Sequence, residues 1–154
     1  MAETVTPEYQ LKAVLLFKLT KFTAWPQTEN RPYEICVYGK SPFGAMLDRL
    51  EQRSGDGSVK VRYPLKVNAD LNSCNILFIS GAASSHLRSI LLAVSYSPVL
   101  TISDIKSFAN VGGMIELTNQ GSHVRFRINL SATKRAQIQI ASPLLELATI
   151  VSED

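Results

Sequence analysis

Few side chains in this chain of 154 residues have the types and spacing that chemistry requires. The fragment Gly39-Lys40-Ser41 is the strongest candidate, because Gly-Lys-Ser/Thr ends the phosphate-binding loop of many nucleotide-binding proteins. That loop also needs a glycine five positions earlier, where this chain has Glu34 inside a predicted strand. The dinucleotide-binding pattern Gly-x-Gly-x-x-Gly is absent as well. The fragment therefore predicts a turn, with Ser41 capping a helix that starts at Pro42, and no nucleotide site.

Acids and histidines are not placed for catalysis either. The first and third predicted strands end in Tyr38-Gly39 and Ser80-Gly81, so neither supplies the carboxylate of a phosphoacceptor site. Asp104 follows the fourth predicted strand alone, which predicts a helix cap. His86 and His123 have no acid or cysteine at metal-ligand or triad spacing, so surface positions are predicted for both. These residue types predict a protein that is not an enzyme and that holds no metal or other cofactor.

The two cysteines, Cys36 and Cys74, are 38 positions apart and belong to no Cys-x-x-Cys motif. Thioredoxin-like redox chemistry and a zinc site are both poorly supported by that spacing. Two interpretations remain open at this point. The residues are either buried thiols, which behave as small hydrophobic side chains, or the two halves of a disulfide.

Composition indicates a single globular domain. Hydrophobic residues make up 45% of the chain and charged residues 19%, with a formal net charge of +3. The lysines and arginines are scattered, the longest cluster being Lys134-Arg135, so the charge predicts no nucleic-acid partner. No apolar run approaches the roughly 20 residues that cross a bilayer, so no membrane insertion is expected. No signal peptide is visible, and the sequence taken alone favours the cytosol.

Strand and helix patterns alternate along the chain, which predicts an α/β fold with a mainly parallel, doubly wound sheet and helices on both faces. A first helix is predicted from Thr6-Pro7 to Trp25-Pro26, with Lys12, Lys18 and Lys21 on its wetter side. Asn119-Gln120-Gly121 predicts a tight turn, so the sheet should end in an antiparallel C-terminal hairpin. Strands are predicted at residues 33–38, 59–64, 74–80, 98–103, 114–118 and 122–129. Further helices are predicted at residues 42–52, 82–95 and 142–151, with a short turn at 104–109.

The tail from Gln137 to Val151 carries more apolar residues than one face of a helix needs. Two interpretations are open here as well. The surplus belongs to the core, with the helix covered on two sides, or it forms an exposed apolar patch, which usually marks a partner site.

Six blocks of sequence together carry a family resemblance. The first is the apolar helix at 12–26 that ends in Trp25-Pro26, and the second is the Cys36 strand with the loop after it, at 35–44. The others are the segments at 74–79, 108–115, 124–129 and 141–148. In that order they resemble the YfiR-like family of bacterial periplasmic regulators, over residues 9–151.

The resemblance implies properties that the residues alone do not. Relatives carry paired cysteines at matching positions, which implies a disulfide between Cys36 and Cys74. Relatives are also exported, which implies a periplasmic protein whose targeting segment has been removed. Residues 1–8 are then expected to be an N-terminal tail and residues 9–151 the YfiR-like domain.

The resemblance also implies a partner. It indicates a non-enzymatic regulator that binds the periplasmic domain of an inner-membrane diguanylate cyclase and represses it, lowering cyclic di-GMP signalling and biofilm formation. The expected contact residues are those tail side chains that point outward among Ile138, Ile140, Leu144, Leu145 and Leu147. A homodimer is a further assembly that the sequence allows. The alternative function is a periplasmic small-ligand-binding module that uses the cleft at the carboxyl edge of the sheet.

Overall fold

Two sheets form the framework of the computed structural model, which describes residues 5–26 and 30–153. The described strands are β1 (Thr23–Ala24), β2 (Tyr33–Tyr38), β3 (Val59–Arg62), β4 (Ile76–Ile79), β5 (Leu100–Ser103), β6 (Ile115–Gln120), β7 (His123–Ile128), β8 (Gln139–Ile140) and β9 (Ala148–Ile150). The large sheet has the order β3-β2-β4-β5-β6-β7-β9, and β1 pairs with β8 in a small antiparallel sheet. Neighbours from β3 to β6 are parallel, β6 and β7 are antiparallel, and β9 is parallel to β7. The predicted fold class is confirmed.

Helices cover both faces of the large sheet. They are α1 (Pro7–Phe22), α2 (Met46–Ser54), α3 (Leu87–Val94), α4 (Leu130–Arg135) and α5 (Ser142–Glu146), with 3-10 turns at Ala69–Ser73, Gly81–His86 and Phe108–Val111. Alternate residues of a strand point to opposite faces of a sheet. On β4, Ile76 and Phe78 therefore face the core that contains α1, whereas Leu77 and Ile79 face the core beneath α3.

A disulfide joins Cys36 on β2 to Cys74, which lies just before β4. Because β2 and β4 are neighbouring parallel strands, the two Cα atoms are only 5.9 Å apart, which is within bonding range. Both cysteines are buried, with 0% and 1% exposure. The pairing is the one that the family resemblance implies, and it links two neighbouring strands of the large sheet.

The first helix begins where the sequence predicts and ends earlier. The Thr6 hydroxyl accepts a hydrogen bond from the backbone N–H of Tyr9 at 3.3 Å, and Pro7 is the first helical residue. The helix stops at Phe22 rather than at Trp25-Pro26, because the next two residues leave it to pair with β8. A strand of two residues has no periodic pattern of its own, so the sequence could not predict this ending.

The helix predicted at residues 142–151 is wrong in its second half. α5 ends at Glu146, and the chain continues as β9 in register with β7, through the pairs Phe126–Ala148 and Ile128–Ile150. A short apolar run suits a buried helix and a sheet strand equally well. The open edge of β7 decides in favour of a strand.

The predicted hairpin is present, with its turn one or two residues later than expected. β6 and β7 are paired up to Gln120 and His123, which leaves Gly121 and Ser122 as the two turn residues. Gly121 has a φ of +63°, in the left-handed region that favours glycine. The hairpin places β7 beside β9 and so completes the surface described next.

Candidate partner-binding surface

An apolar groove with a volume of about 180 Å³ lies between α1 and α5. One wall is the side of α1 that carries Leu15, Lys18, Leu19 and Phe22, residues spaced three or four apart and hence on one side of the helix. The other wall consists of Phe126 on β7 with Pro143, Leu144 and Leu147. Of the described residues that line the groove, Lys18 alone is charged. The groove can therefore accept an apolar side chain and offers one cation at its margin.

α1 faces the groove and the sheet at once because it is apolar on more than one side. Its Leu16 and Leu19 are buried in the core, with 0% and 2% exposure. Its Leu11 and Phe22, in contrast, are 44% and 38% exposed, and with Leu15 they follow one another along a single side of the helix. The rest of the described chain leaves that side partly uncovered.

The second wall is fixed by the short helix α5. The backbone N–H groups of Leu144 and Leu145 donate to the carbonyl of Ala141 at 3.0 and 3.2 Å, which starts the helix. The N–H of Leu147 donates to the carbonyl of Leu144 at 3.1 Å and closes its last turn. Three residues apart, Leu144 is 6% exposed and Leu147 is 69% exposed. The same turn thus supplies the floor of the groove and its rim.

The structure separates the five tail residues that the sequence predicts for partner binding. Ile138 and Leu144 are buried, with 3% and 6% exposure, and belong to the core. Ile140 and Leu145 are half-buried and pack against that core. Leu147 is exposed. Ile138 thus lies in the core and Leu144 at the floor of the groove, because the tail folds back against α1 and β7. Leu147 remains a prediction for the contact surface.

Sequence reasoning missed the residues that other segments bring to the groove. Leu15 and Phe22 had a signal, since with Leu11 they form an apolar stripe on a helix whose opposite side already suffices for the core. Phe126 had none, because its place in the groove depends on the pairing of β7 with β9. The apolar surface also extends along the edge strand, where Ile150 is 51% exposed.

Backbone hydrogen bonds hold the two walls of the groove together. In the small sheet, Thr23 pairs with Ile140 and Ala24 with Gln139. The N–H of Ala141 donates to the carbonyl of Phe22 at 2.8 Å. The end of α1 is therefore joined directly to the start of α5 by backbone hydrogen bonds.

Nearer the start of α1, Lys12 is buried, with 1% exposure, although the sequence predicts it on the wetter side of the helix. Its Nζ lies 2.5 Å from Glu8 Oε2, 3.0 Å from Asp104 Oδ2 and 4.7 Å from the centre of the Tyr9 ring. Two carboxylates and an aromatic face compensate the loss of water around the ammonium group. The prediction for Lys12 was wrong because its main partner is distant in sequence.

Asp104 is not the helix cap that its isolation predicts. Its Oδ2 accepts hydrogen bonds from the Tyr9 hydroxyl at 2.6 Å and from Lys12, and so ties the end of β5 to the first turns of α1. The hydrogen bond from Lys12 holds the pKa of Glu8 below its ordinary value. Burial, followed by the bond to Asp104, raises the pKa of Tyr9. This cluster anchors α1 on the sheet.

Other titratable groups are exposed or engaged in structural contacts. Within the part of the chain that the structure describes, no three side chains among His, Cys, Asp and Glu are grouped to hold a metal ion. His86 and His123 are exposed, as the sequence predicts. The buried Glu116 accepts hydrogen bonds from the backbone N–H of Ala109 at 3.0 Å and from Arg127 at 2.7 Å, which fixes the adjacent 3-10 turn.

Comparison with protein families decides what the chain is related to. The model of the DUF4154 family, described as YfiR/HmsC-like, matches residues 9–149. The chain belongs to this family. The resemblance inferred from the six sequence blocks is confirmed, and at family level it supports a periplasmic regulator of cyclic di-GMP signalling. Among the described helices of this YfiR/HmsC-like protein, none combines the length and apolar character needed to cross a membrane.

Similar solved structures support the fold of this chain and do not bear on its function. One similar structure is a conserved domain protein from Vibrio cholerae O1 biovar eltor, with 12% identity and a TM-score of 0.61, covering 94% of this chain and 60% of that chain. Another is the ABC domain in complex with L-Trp from Streptococcus pneumonia, with 12% identity and a TM-score of 0.59, covering 94% of this chain and 62% of that chain. The chain thus spans less than two thirds of either structure.

Proposed function

We propose that this YfiR/HmsC-like protein binds the periplasmic domain of an inner-membrane diguanylate cyclase through the groove between α1 and α5, and represses the cyclase. Repression lowers cyclic di-GMP and biofilm formation. The observation that carries the proposal is the exposed apolar rim of the groove, with Leu147 at 69% exposure and Phe22 at 38%. The family supplies the class of partner, and a periplasmic site of action agrees with a buried disulfide.

An apolar rim around a groove favours binding because a partner removes it from water. Monomeric proteins keep contiguous exposed apolar patches small, and larger ones usually mark interaction sites. Here Phe22 and Leu147 are exposed around a floor that includes Leu19 and Leu144. A partner side chain inserted between them would lose its water on several sides. That is the environment in which single interface residues contribute most to affinity.

Repression requires that the regulator discriminates between two conformations of the cyclase. A bound protein shifts such an equilibrium only as far as it prefers the inactive form over the active one. Moving the balance from 1:99 to 99:1 takes a preference of about 10⁴-fold. The groove suits this task because backbone hydrogen bonds between β1 and β8 fix its shape. A surface held in one shape binds less tightly to a partner conformation that does not match it.

The positive charge at the margin of the groove predicts a negatively charged partner surface. Lys18 lines the groove, and Lys21, one turn further along α1, is exposed. We therefore expect an acidic residue of the cyclase to face this margin. Charged pairs at an exposed rim raise the association rate more than they raise affinity, so the salt dependence of association reports on them.

Two leucines with nearly equal exposure provide the test. Leu147, at the groove, is 69% exposed, and Leu92, on α3 at the opposite face of the sheet, is 67% exposed. In calorimetric titrations against the periplasmic domain of the cyclase encoded nearest in the genome, Leu147→Asp should weaken binding about 30-fold, which corresponds to about 2 kcal/mol. Leu92→Asp should leave the affinity within about twofold. Melting temperatures of both variants should stay within about 3 °C of the parent, because both side chains are exposed.

The outcomes separate the proposal from its rivals. Equal affinities for the two variants would remove the groove from the interface. A dimer of this chain that Leu147→Asp disrupts, seen by light scattering in the absence of the cyclase, would make a second copy the occupant of the groove instead. Small-ligand binding is the alternative function, and a cavity at the carboxyl edge of the sheet favours it.

A further inference from the structure

A cavity of about 230 Å³ opens at the carboxyl end of β2 and shares no lining residue with the groove. From β2 the chain continues to β3 on one side of the sheet, and from β4 it continues to β5 on the other side. The loops after β2 and β4 therefore diverge and leave a crevice between them. Doubly wound sheets bind their ligands at such a switch point. Because this chain has no glycine-rich nucleotide motif, side chains would have to recognise the ligand.

Tyr38 and His86 form the inner wall of the cavity. Their rings meet edge to face, with centroids 6.3 Å apart and planes at 87°. Tyr38 is only 8% exposed, yet its hydroxyl has no hydrogen-bond partner among the described residues. His86 likewise makes no hydrogen bond to the described part of the chain. The Tyr38 hydroxyl is therefore free to bond to water or to a ligand in the cavity.

The floor of the cavity depends on a glycine. Gly39 has a φ of +91°, and a Cβ atom built on it would lie 2.8 Å from the Cβ of Ala83 and 3.1 Å from the Oγ of Ser80. The loops after β2 and β4 therefore touch at this point, and the absence of a side chain lets them do so. The contact between the two loops thus forms the floor of the crevice.

The outer wall is aromatic and apolar, and its surroundings are cationic. Tyr63 and Leu65 line it, and Leu65 is 90% exposed, so that an apolar side chain stands beside the cavity without cover. The Tyr63 hydroxyl donates a hydrogen bond to Asp48 Oδ1 at 3.0 Å, so this carboxylate already has a partner. Lys40 and Lys66 are exposed, and each directly follows a lining residue in the chain. The cavity thus combines aromatic walls with positive charge nearby.

We propose that this cavity binds a small aromatic carboxylate. The ring would lie between the outer wall of Tyr63 and Leu65 and the inner wall of Tyr38 and His86, with its carboxylate near the free Tyr38 hydroxyl and the imidazole. The volume of 230 Å³ is below the range of about 300–1,000 Å³ that holds drug-sized molecules, so one or two rings fit. This inference goes beyond binding of a cyclase and uses none of the groove residues.

A titration with 2-naphthoate tests the proposal, with 2-naphthamide as a neutral probe of the same shape. In ¹H–¹⁵N correlation spectra, 2-naphthoate should cause saturable shifts at the amides of Gly39, Leu65 and Ala83. A Kd of about 1 mM or tighter is expected for a ligand of this size. The amide should bind about tenfold more weakly, since it carries no charge. Absence of saturable shifts at these residues, or shifts centred on the groove, would overturn the proposal. Equal binding of the two probes would overturn the preference for a carboxylate.

Three variants separate recognition from folding. Tyr38→Phe removes only the hydroxyl and His86→Ala removes an exposed ring, so neither should change the melting temperature by more than about 3 °C. Each should raise the Kd for 2-naphthoate by about threefold to tenfold. His123→Ala, which removes the other exposed histidine at the distant hairpin, should leave the Kd unchanged. Unchanged Kd values in both Tyr38→Phe and His86→Ala would exclude the inner wall as the recognition site. Cyclase binding by these variants should be normal, which separates this test from that of the groove.

Discussion

Removing the Asp104 carboxylate should destabilise the protein far more than an exposed substitution, because it deprives a buried cation of its main partner. The Lys12 side chain is 1% exposed, that of Asp104 is 15% exposed and that of Glu8 is 39% exposed. Water screens the attraction between Lys12 and the more exposed Glu8. Asp104 is therefore the partner on which burial of Lys12 chiefly depends.

The magnitude follows from the partners that remain. Loss of one member of a buried ion pair costs about 3–5 kcal/mol when nothing replaces it. Glu8 and the Tyr9 ring still contact Lys12 in an Asp104→Ala variant, so the lower end, about 3 kcal/mol, is expected. For a domain of this size, that loss lowers the melting temperature by about 6–12 °C.

A double-mutant cycle in urea distinguishes this reasoning from a simple loss of packing. Lys12→Met removes the buried charge and retains most of the apolar stem, so it should cost only about 1 kcal/mol. Asp104→Ala added to Lys12→Met should then cost little more, because no buried cation is left without a partner. The coupling free energy should be at least about 1 kcal/mol. Single costs that add, or an Asp104→Ala cost below about 1 kcal/mol, would refute the argument.

Two further predictions concern the disulfide and acid pH. Cys36→Ser should lower the free energy of unfolding by about 3–4 kcal/mol, since the bond spans 38 residues, and a smaller loss in urea titrations would count against the pairing. Dithiothreitol without denaturant should leave the buried bond intact, and mass spectrometry after alkylation checks this, with labelled thiols as the contrary result. Hydrogen bonds from Lys12 and Arg135 lower the pKa values of Glu8 and Glu153 in the folded protein. The two carboxylates therefore contribute their full stabilisation above the unfolded pKa near 4.5, and that stabilisation is lost as the pH falls through their folded pKa values. The Glu8→Gln variant should consequently lose less stability than the parent between pH 7 and pH 3. Parallel losses in the two proteins would contradict that role of Glu8.

The sheet could be predicted because its parallel strands leave a strong local signal. Strands that are buried on both faces appear as nearly continuous apolar runs between turn residues. β2 occupies the predicted residues 33–38, and β4 and β5 lie inside the predicted ranges. The alternation of strands and helices predicted the doubly wound, mainly parallel class of the sheet. Two-residue strands and the six-residue helix α4 were not predicted, since segments so short show no period.

The buried charge cluster could not be predicted because its members are distant in sequence. Lys12 and Asp104 are 92 positions apart, and neither position differs locally from an exposed lysine or a capping aspartate. A lysine on an apolar helix is usually solvated, and that general preference predicted the wrong side for Lys12. Only the placement of α1 across the end of β5 makes the ion pair.

The groove residues could not be predicted from the sequence either, and this affects the choice of variants. Core residues and interface residues have the same apolar character, so the tail sequence could not show that Leu144 is 6% exposed while Leu147 is 69% exposed. A charge at Leu144 would enter the core and unfold the protein, and the resulting loss of cyclase binding would carry no information about the interface. A charge at Leu147 stays in water and tests the interface alone. The distinction arises from the hydrogen bonds of α5 and from β9, because together they turn one side of the tail inward and leave the other uncovered.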